Sequence, residues 1–378
     1  MYFDFSKEQY MARASARDFL AQQMPTSRLR QLLATGTGFD RGVWKGLADL
    51  GWTAVLVPEP YGGLGLGFLD LALLLEESGR ALLPGPLVET AVVFPVAMRA
   101  ASPSQRQRWL PGIGSGDALA TVALTGAEES PLPAGLAARA RPNGGDWVLD
   151  GQALLVPFGQ LAHVVLVAAR TSAGSGPDGV SLFLVEAGDR GVSWQPLASL
   201  DPTVRLSAMR LEGARLTADR LIGQPGQGWE PLARALEAGA AALALQAVGG
   251  AGHVLEMAVA YAKLRHQFGK PIGSFQAIKH KCADMLVQYE TTRSGAYYAA
   301  WSVDAGAPDA AVAAAMAKAT CTEMFRDVSG EAIQIHGGIG FTWEHDLHFY
   351  FKRAKYLEFA LGTPSQHREV VAAACLST

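Results

Sequence analysis

The feature that most constrains the fold is the residue pattern, which changes twice along the chain from one type of secondary structure to another. Residues 3–115 read as helices broken by Pro and Gly. Residues 119–222 form short runs rich in Val, Leu and aromatics, bounded by Gly, Pro and Asp, which is typical of strands. From residue 230 onwards Ala, Leu, Glu and Lys dominate, as in long helices. Because no helix-length segment interrupts the strand-like region, we expect an antiparallel sheet rather than βαβ units.

This order predicts an α+β protein with three domains. We expect an N-terminal helical domain at 1–118, a middle antiparallel β-domain at 119–226 and a C-terminal four-helix bundle at 227–378. Ser6 followed by Gln9 has the spacing of a capping box, in which each side chain accepts a backbone hydrogen bond. Asp40 is expected to cap a second helix.

Composition narrows the class of protein. The chain has 378 residues, a net charge of −3 and 49% hydrophobic residues, which argues against a nucleic-acid partner and for a large core. The absence of a long uncharged apolar run predicts no membrane span. The N-terminus is charged from Asp4 onwards, unlike a signal peptide. Cys282, Cys321 and Cys375 are scattered, which favours a reducing cytoplasm over a disulfide framework.

The segment "PYGGLGLGF" suggests a dinucleotide-binding loop at first sight. Such a loop needs a strand before the glycines and a helix after them, within a βαβ unit. Pro58 and Pro60 separate the apolar run from the glycines, and the flanking segments look helical. We therefore interpret the segment as a turn between two helices.

Three further groups of residues could in principle carry chemistry, as metal ligands, a nucleophile or acid–base pairs. His345 and His348 have the spacing of metal ligands on a helix, but no third ligand accompanies them, so we expect an aromatic packing layer and no metal. Cys282 lies among lysines without a catalytic partner and is expected to belong to a helix core. The pairs Glu76–Glu77 and Glu128–Glu129 are expected to be solvated, since adjacent side chains point to different sides.

Three long stretches resemble the acyl-CoA dehydrogenase family, which includes heterotetrameric members. They are "YAKLRHQFGKPIGSFQAIKHKCADM" (261–285), "QIHGGIGFTWEHDLHFYFKRAK" (334–355) and "WKGLADLGWTAVLVPEPYGGLGLG" (44–67). The stretches agree with the family in order and spacing, and with the helical–β–helical arrangement they cover essentially the whole chain.

The resemblance implies an FAD-dependent enzyme that removes two hydrogens from an acyl-CoA thioester, as in the β-oxidation of fatty acids or steroid side chains. A carboxylate takes the α-proton, and the flavin accepts the β-hydride. FAD lies at a dimer interface within a homo- or hetero-oligomer that is a dimer of dimers, a tetramer. An electron-transfer flavoprotein reoxidises the flavin.

The resemblance also implies cofactor contacts. Arg265 matches the family arginine that meets the FAD pyrophosphate across the interface, for which a guanidinium is suited. The other expected cofactor-binding residues are Thr125, Gln267, Phe268, Phe275, Gln276, Gln334, Gly337, Gly338 and Thr363.

Positions on the flavin-ring side depart from the family. Leu155 and Pro157 stand where the family has a tryptophan and a hydroxyl-bearing threonine, and proline cannot donate a backbone hydrogen bond. Leu361 stands at the usual position of the catalytic glutamate. Gly239 stands at the position that a subset of the family uses instead.

The catalytic residue is therefore unknown from the sequence, and three hypotheses stay open. The chain is an active dehydrogenase whose base is Glu237, Glu358 or a partner's residue. Alternatively, it is a catalytically silent subunit that completes the FAD site of a paralogous partner. A flavin-using oxidase or monooxygenase on the same fold is the third.

Overall fold

The N-terminal part of the chain is helical, as the sequence predicts. The computed structural model describes residues 4–126 and 131–376. Its first helices are α1 (Lys7–Gln23), α2 (Thr26–Leu33), α3 (Arg41–Asp49), α4 (Phe68–Arg80), α5 (Phe94–Ala97) and α6 (Pro103–Gly114), with a π-helical turn at Glu89–Val93 before α5.

Both predicted helix caps are confirmed. The Ser6 hydroxyl accepts from the Gln9 amide at 3.2 Å, and the Gln9 side chain accepts from the Ser6 amide at 2.8 Å. Asp40 Oδ1 accepts from the Val43 amide at 3.0 Å. The glycine-rich segment is a turn between α3 and α4 that includes a short 3₁₀ helix at Glu59–Tyr61, so its interpretation as a loop between helices is also confirmed.

The middle of the chain forms a sheet whose strand order is β6-β7-β3-β2-β4-β5-β8, with β1 paired to β4. Its strands are β1 (Ala120–Ala123), β2 (Arg139–Asn143), β3 (Asp146–Pro157), β4 (Val164–Arg170), β5 (Val180–Glu186), β6 (Val192–Leu197), β7 (Leu206–Leu216) and β8 (Leu221–Ile222).

The sheet is not wholly antiparallel. β1 runs parallel to β4, from Ala120 opposite Val164 to Ala123 opposite Val167, and β2 meets β4 in parallel at one residue pair. The prediction assumed that parallel strands need a helical crossover. Here β2 and β3 supply the crossover between β1 and β4, so the sequence shows no helix there.

Strand β4 is buried on both faces, which explains its unbroken apolar sequence. Val164, Leu166 and Ala168 belong to the core shared with the helices. Val165 and Val167 belong to a second core on the other face of the sheet. The sheet therefore packs directly against the helical parts of the protein.

Helices return after the sheet. They are α7 (Trp229–Leu264), α8 (Gln276–Ala305), α9 (Ala310–His336), α10 (Leu347–Phe359) and α11 (Pro364–Leu376), with a small hairpin of β9 (His266–Gln267) and β10 (Lys270–Pro271) between α7 and α8. The expected C-terminal bundle is thus present, together with one further helix among the described residues.

Helix α7 is the central helix of the core. An added Cβ at Gly249 would lie 1.8 Å from the Glu76 carbonyl oxygen, and one at Gly79 would lie 2.0 Å from that of Gln246. Glycine at both positions lets α4 and α7 pack backbone to backbone. By length and composition α7 could span a membrane, but 94% of its most apolar window is buried, as in the core helix of a soluble protein.

The expectation that Glu76 and Glu77 are solvated is wrong. Both are buried, because α4 lies inside the protein and α1 covers it. Arg13 on α1 donates to Glu76 at 2.9 Å and to Glu77 at 2.8 Å, and Arg17 donates to Glu77 at 2.7 Å. The sequence does not show that arginines 60 residues away neutralise the pair. The other predicted pair, Glu128–Glu129, lies outside the described residues.

Replacement of Arg13 by alanine should destabilise the fold strongly. The variant leaves two buried carboxylates with less compensating charge, which costs about 3 kcal/mol or more in the free energy of unfolding. Arg234→Ala is the matched control, since its ion pair with Glu230 is exposed and should contribute less than about 1 kcal/mol. Urea denaturation of both variants measures the difference, and equal losses would contradict the structural role of Arg13.

Candidate active site and cofactor surface

A cavity of about 370 Å³ lies between the sheet and the C-terminal helices. Its walls come from β1, β3, the segment between β6 and β7, and the end of α10. It brings together Thr125, Leu155, Pro157 and Leu361, four positions that the sequence comparison placed around the flavin ring. The lining is largely apolar, as in sites that bury a ligand's hydrophobic part.

Leu155 has an unusual backbone in the cavity wall. Its φ is +57°, and the pairing of β3 with β7 shifts register between Ala153 and Val156. A bulge of this kind redirects a side chain, and a left-handed branched residue costs about 1 kcal/mol or more. Thr125 lies opposite, but its hydroxyl donates to the Leu154 carbonyl oxygen at 2.5 Å. The predicted flavin contact of Thr125 therefore competes with a bond inside the wall.

The two expected base positions meet at one point of the structure. Leu361 follows α10 with φ +54°. A Cβ added at Gly239 on α7 would lie 2.6 Å from Leu361 Cδ1 and 2.9 Å from Val93 Cγ2. Both positions therefore point into the same space, and apolar side chains fill it.

The turn that carries Leu361 is fixed by two residues that the sequence analysis missed, the buried Lys318 and the half-buried His367. Lys318 Nζ donates to the Gly362 carbonyl oxygen at 3.0 Å, and His367 Nε2 lies 3.1 Å from the Leu361 carbonyl oxygen. Burial lowers the pKa of Lys318 to about 7. Burial, reinforced by the charge of Lys318, lowers the pKa of His367 to about 4. The only signal of Lys318 in the sequence is a lysine within the alanine-rich run of α9.

Neither carboxylate proposed from the sequence is available at this point. Glu237 lines a different pocket, together with Arg234 and Asp304, and burial raises its pKa. Glu358 is buried but ion-paired with Arg326 at 2.5 Å and with Lys355. The charge of Glu358 therefore stabilises α10 against α9.

Glu89 is one of two carboxylates in the cavity wall that sequence reasoning missed, the other being Asp201. Glu89 is only 6% exposed, forms no ion pair with any described residue and begins the π-helical turn before α5. Burial raises its pKa to about 7, although a hydrogen bond from its own backbone N–H and the charge of the nearby Arg353 oppose the shift. The hydroxyl of Thr90 bonds to both the carbonyl oxygen and the amide of Ala120, so the turn is fixed to β1. A lone acidic residue in the apolar run "PGPLVETAVVFP" was the available signal.

A second group of predicted residues lies on the outer surface, around the β9–β10 hairpin. Arg265 is exposed, and its guanidinium bonds to no described residue. Phe268 is 92% exposed at φ +52°, and its ring lies edge-on to Phe275 at 6.1 Å. Gln267 and Gln276 are exposed beside them. An exposed aromatic next to an unpaired guanidinium is typical of a surface that another molecule covers.

The end of α9 continues this surface. The ring of Tyr261, one turn before Arg265, stacks on His336 at 4.2 Å. Gln334, Gly337 and Gly338 follow at the helix end, and Gly337 has φ +63°. Thr363 lies elsewhere: its hydroxyl accepts from the Gln366 amide at 3.2 Å and caps α11, next to the cavity. The predicted cofactor residues thus divide into an outer surface and a cavity set.

The histidines proposed as metal ligands lie in an aromatic layer. His348 stacks on Trp343 at 4.5 Å, and His345 lies edge-on to His336 at 4.7 Å. Among the residues that the structure describes, no three His, Cys, Asp or Glu side chains are grouped to hold a metal ion. Cys282 is half-buried on α8, and burial raises the pKa of its thiol.

The two sets of residues fit FAD unequally. On the outer surface, the free guanidinium of Arg265 and the exposed ring of Phe268 suit a pyrophosphate and an adenine. In the cavity, apolar walls suit a flavin ring, but Pro157 has no N–H and the Thr125 hydroxyl is already bonded. The residue types that suit FAD are therefore more complete on the outer surface than in the cavity.

Family models match both helical parts of the chain. Residues 6–117 match the acyl-CoA dehydrogenase N-terminal domain, and residues 226–376 match the C-terminal domain. The chain is 33% identical to a probable acyl-CoA dehydrogenase, YngJ, of Bacillus subtilis (strain 168), over 98% of its own length and 99% of that protein.

Solved structures give the same result. Butyryl-CoA dehydrogenase from Megasphaera elsdenii superposes with a TM-score of 0.91 at 27% identity, and a chain of the ChsE4-ChsE5 complex from Mycobacterium tuberculosis with 0.90 at 29%, both over the full length of each chain. The fold and site thus define a flavoprotein of the FAD-dependent dehydrogenase class. The chain belongs to the acyl-CoA dehydrogenase family, whose cofactor is FAD.

The buried Lys318 should make stability depend on pH. Its pKa is about 7 in the folded protein against 10.5 for a free lysine. Between these values the unfolded chain binds a proton that the folded chain does not, so stability rises with pH across this window. Lys318→Met lacks this contribution. The melting temperature of the wild type should therefore rise relative to the variant as the pH increases above about 7.

Melting curves at several pH values test this prediction. Lys279→Met, on the exposed face of α8, is the matched control and should keep a constant offset from the wild type. A constant offset for Lys318→Met as well would show that Lys318 stays charged in the folded protein.

Proposed function

We propose that this chain is a subunit of an FAD-dependent enzyme that dehydrogenates an acyl-CoA thioester between its α- and β-carbons. The observation that carries the proposal is the cavity in which Thr125, Leu155 and Leu361 converge from distant parts of the sequence. Its apolar lining suits an acyl group held against a flavin ring. FAD, when bound, supplies the hydride acceptor for the β-carbon.

The chain's own residues contribute mainly by excluding water. Leu155, Leu206 and Leu361 form apolar walls around the reacting part of the thioester. In such a site a hydrogen bond to the thioester carbonyl stabilises enolate-like charge more than it does in water. Leu361 and Gly239 cannot accept the α-proton, so the proton acceptor comes from another position or from a partner subunit.

The outer surface supports assembly with a second subunit. Gly239, which lies against Leu361 of the cavity wall, and Arg265, at the end of α7, are 26 residues apart, which is about 39 Å at ~1.5 Å per residue. Because a rigid helix separates the two, Arg265, Phe268 and Gln276 reach the FAD of a neighbouring subunit. Gln334, Gly337 and Gly338 lie on the same surface and pack on that cofactor.

The assembly is a homo- or hetero-oligomer, arranged as a dimer of dimers, that works in the cytoplasm and passes electrons to an electron-transfer flavoprotein. The domain limits are 1–118, 119–226 and 227–378. The likeness to a chain of the ChsE4-ChsE5 complex supports a heteromeric partner.

A second candidate function is that of a catalytically silent subunit that completes the FAD site of a homologous partner. The specific observation in its favour is the contact between Leu361 and Gly239, which leaves both expected base positions apolar. The outer cofactor surface, by contrast, keeps the residue types that the family uses.

Flavin spectroscopy separates the two functions. The chain is purified alone and after co-expression with a homologous acyl-CoA dehydrogenase, and acyl-CoA thioesters are added without oxygen. If the chain is the dehydrogenase, bound FAD bleaches when an acyl-CoA enters the cavity of this chain. A preparation that binds FAD only with its partner, and whose bleaching survives filling of this cavity by Thr125→Trp, would identify the silent subunit.

Arg265→Ala should weaken FAD binding by the assembled oligomer without unfolding the chain. An arginine–phosphate hydrogen bond contributes about 1.5–3 kcal/mol, so the affinity should fall about 10- to 100-fold. Arg190→Ala, another exposed arginine, on the turn between β5 and β6, is the matched control. The FAD-to-chain ratio after gel filtration measures the effect. Equal FAD content in both variants would remove Arg265 from the cofactor site.

A further inference from the structure

The cavity has an open end and a closed end with different chemistry. Leu200 is 64% exposed and Phe359 is 59% exposed, and these two side chains mark the mouth. Glu89 and Asp201, at 6% and 0%, mark the closed end. An apolar acyl chain that enters at the mouth therefore extends towards two buried carboxylates.

The two carboxylates differ in their pairing. Arg353 donates to Asp201 at 2.7 Å, and the Thr203 hydroxyl donates to the same carboxylate at 2.6 Å. Both oxygens of the Asp201 carboxylate therefore already accept hydrogen bonds from other parts of the protein. No described residue pairs with Glu89 in this way. Tyr356 lines the same end, and its hydroxyl bonds to no described residue. Glu89 and Tyr356 are thus the polar groups that remain for a ligand there.

A plain hydrocarbon chain does not suit this end of the cavity. It would strip water from the Glu89 carboxyl and the Tyr356 hydroxyl without replacing their hydrogen bonds, which is unfavourable. A hydroxyl on the acyl chain satisfies both groups, since it donates to the carboxylate and accepts from the tyrosine. A site built to bond a hydroxyl discriminates strongly against the analogue that lacks it.

We propose that Glu89 and Tyr356 form a subsite for a hydroxyl group carried by the acyl chain, so that this chain prefers hydroxylated acyl-CoA thioesters. The proposal rests on the proposed function only in that the cavity receives the acyl group. Thr90 fixes the turn that carries Glu89 to β1, which gives the carboxylate a defined position.

The position of Glu89 favours recognition over proton abstraction. Leu361 and Gly239 meet beside Val93, where the family comparison places the α-proton acceptor. Glu89 lies four residues before Val93 in the π-helical turn, which is about one helical turn closer to the N-terminus of the chain. The carboxylate is therefore displaced from that meeting point towards the closed end.

Calorimetric binding to the assembled, FAD-loaded oligomer tests the subsite without requiring turnover. The probes are a series of ω-hydroxyacyl-CoA thioesters of increasing length and the unsubstituted acyl-CoA of each length. The wild type should bind the best-fitting hydroxylated thioester about tenfold or more tightly than its unsubstituted counterpart. Glu89→Leu should reverse this preference, and Tyr356→Phe should weaken it.

Glu237→Leu is the matched control, since Glu237 is also a partly buried carboxylate on a helix but lines another pocket. It should keep the wild-type preference. Glu89→Gln provides a second variant of nearly unchanged size, in case leucine disturbs the fold, and it should reduce the preference for the hydroxylated thioester.

Two outcomes would overturn the proposal. One is equal affinity for both thioesters at every chain length in the wild type. The other is a Glu89→Gln variant that keeps the preference but no longer bleaches FAD with either thioester, which would make Glu89 the proton acceptor. A wild type that prefers the hydroxylated thioester yet bleaches with no thioester supports the subsite and counts only against the proposed dehydrogenation.

Discussion

The buried ion pair between Arg353 and Asp201 is the interaction on which the site depends. Arg353 belongs to α10, and Asp201 lies between β6 and β7, so the pair joins the C-terminal helices to the sheet. Asp201 lines the closed end of the cavity, and Arg353 binds it from α10. Because removal of one partner would leave an uncompensated buried charge, the two parts of the protein are held in one orientation. The cavity exists because this orientation is fixed.

Helix α7 supplies the second constraint. Its glycines let α4 approach closely, its N-terminal third places Gly239 against Leu361 of the cavity wall, and its end carries Arg265 to the outer surface. One helix therefore fixes the distance between Gly239, beside Leu361, and the outer surface around Arg265. The length of α7 therefore keeps the guanidinium of Arg265 away from the cavity of its own chain.

Much of the architecture could be predicted from the sequence, because it depends on local patterns. The change from a helical to a strand-like residue pattern and the caps at Ser6 and Asp40 are local signals, and the structure confirms them. The predictions were wrong where contacts between residues far apart in the sequence determine the structure. Arg13 neutralises Glu76 and Glu77 from another helix, and β2 and β3 replace the helical crossover before β4.

Only the site residues that align with positions of the family motifs could be predicted from the sequence. Leu155, Pro157 and Leu361 could be aligned with known positions, and they do line one cavity. Glu89 has no counterpart in that pattern, and its importance comes from burial without a partner, which only the three-dimensional structure reveals.

Backbone strain in the cavity wall occurs at two apolar residues, whereas the buried carboxylates lie at the closed end. Leu155 and Leu361 both adopt left-handed backbone conformations, which cost free energy and persist only where the surrounding structure fixes them. Lys318 and His367 provide that support for Leu361. This supported turn gives the cavity a fixed apolar wall, and Glu89, which forms no ion pair with any described residue, gives it a polar closed end.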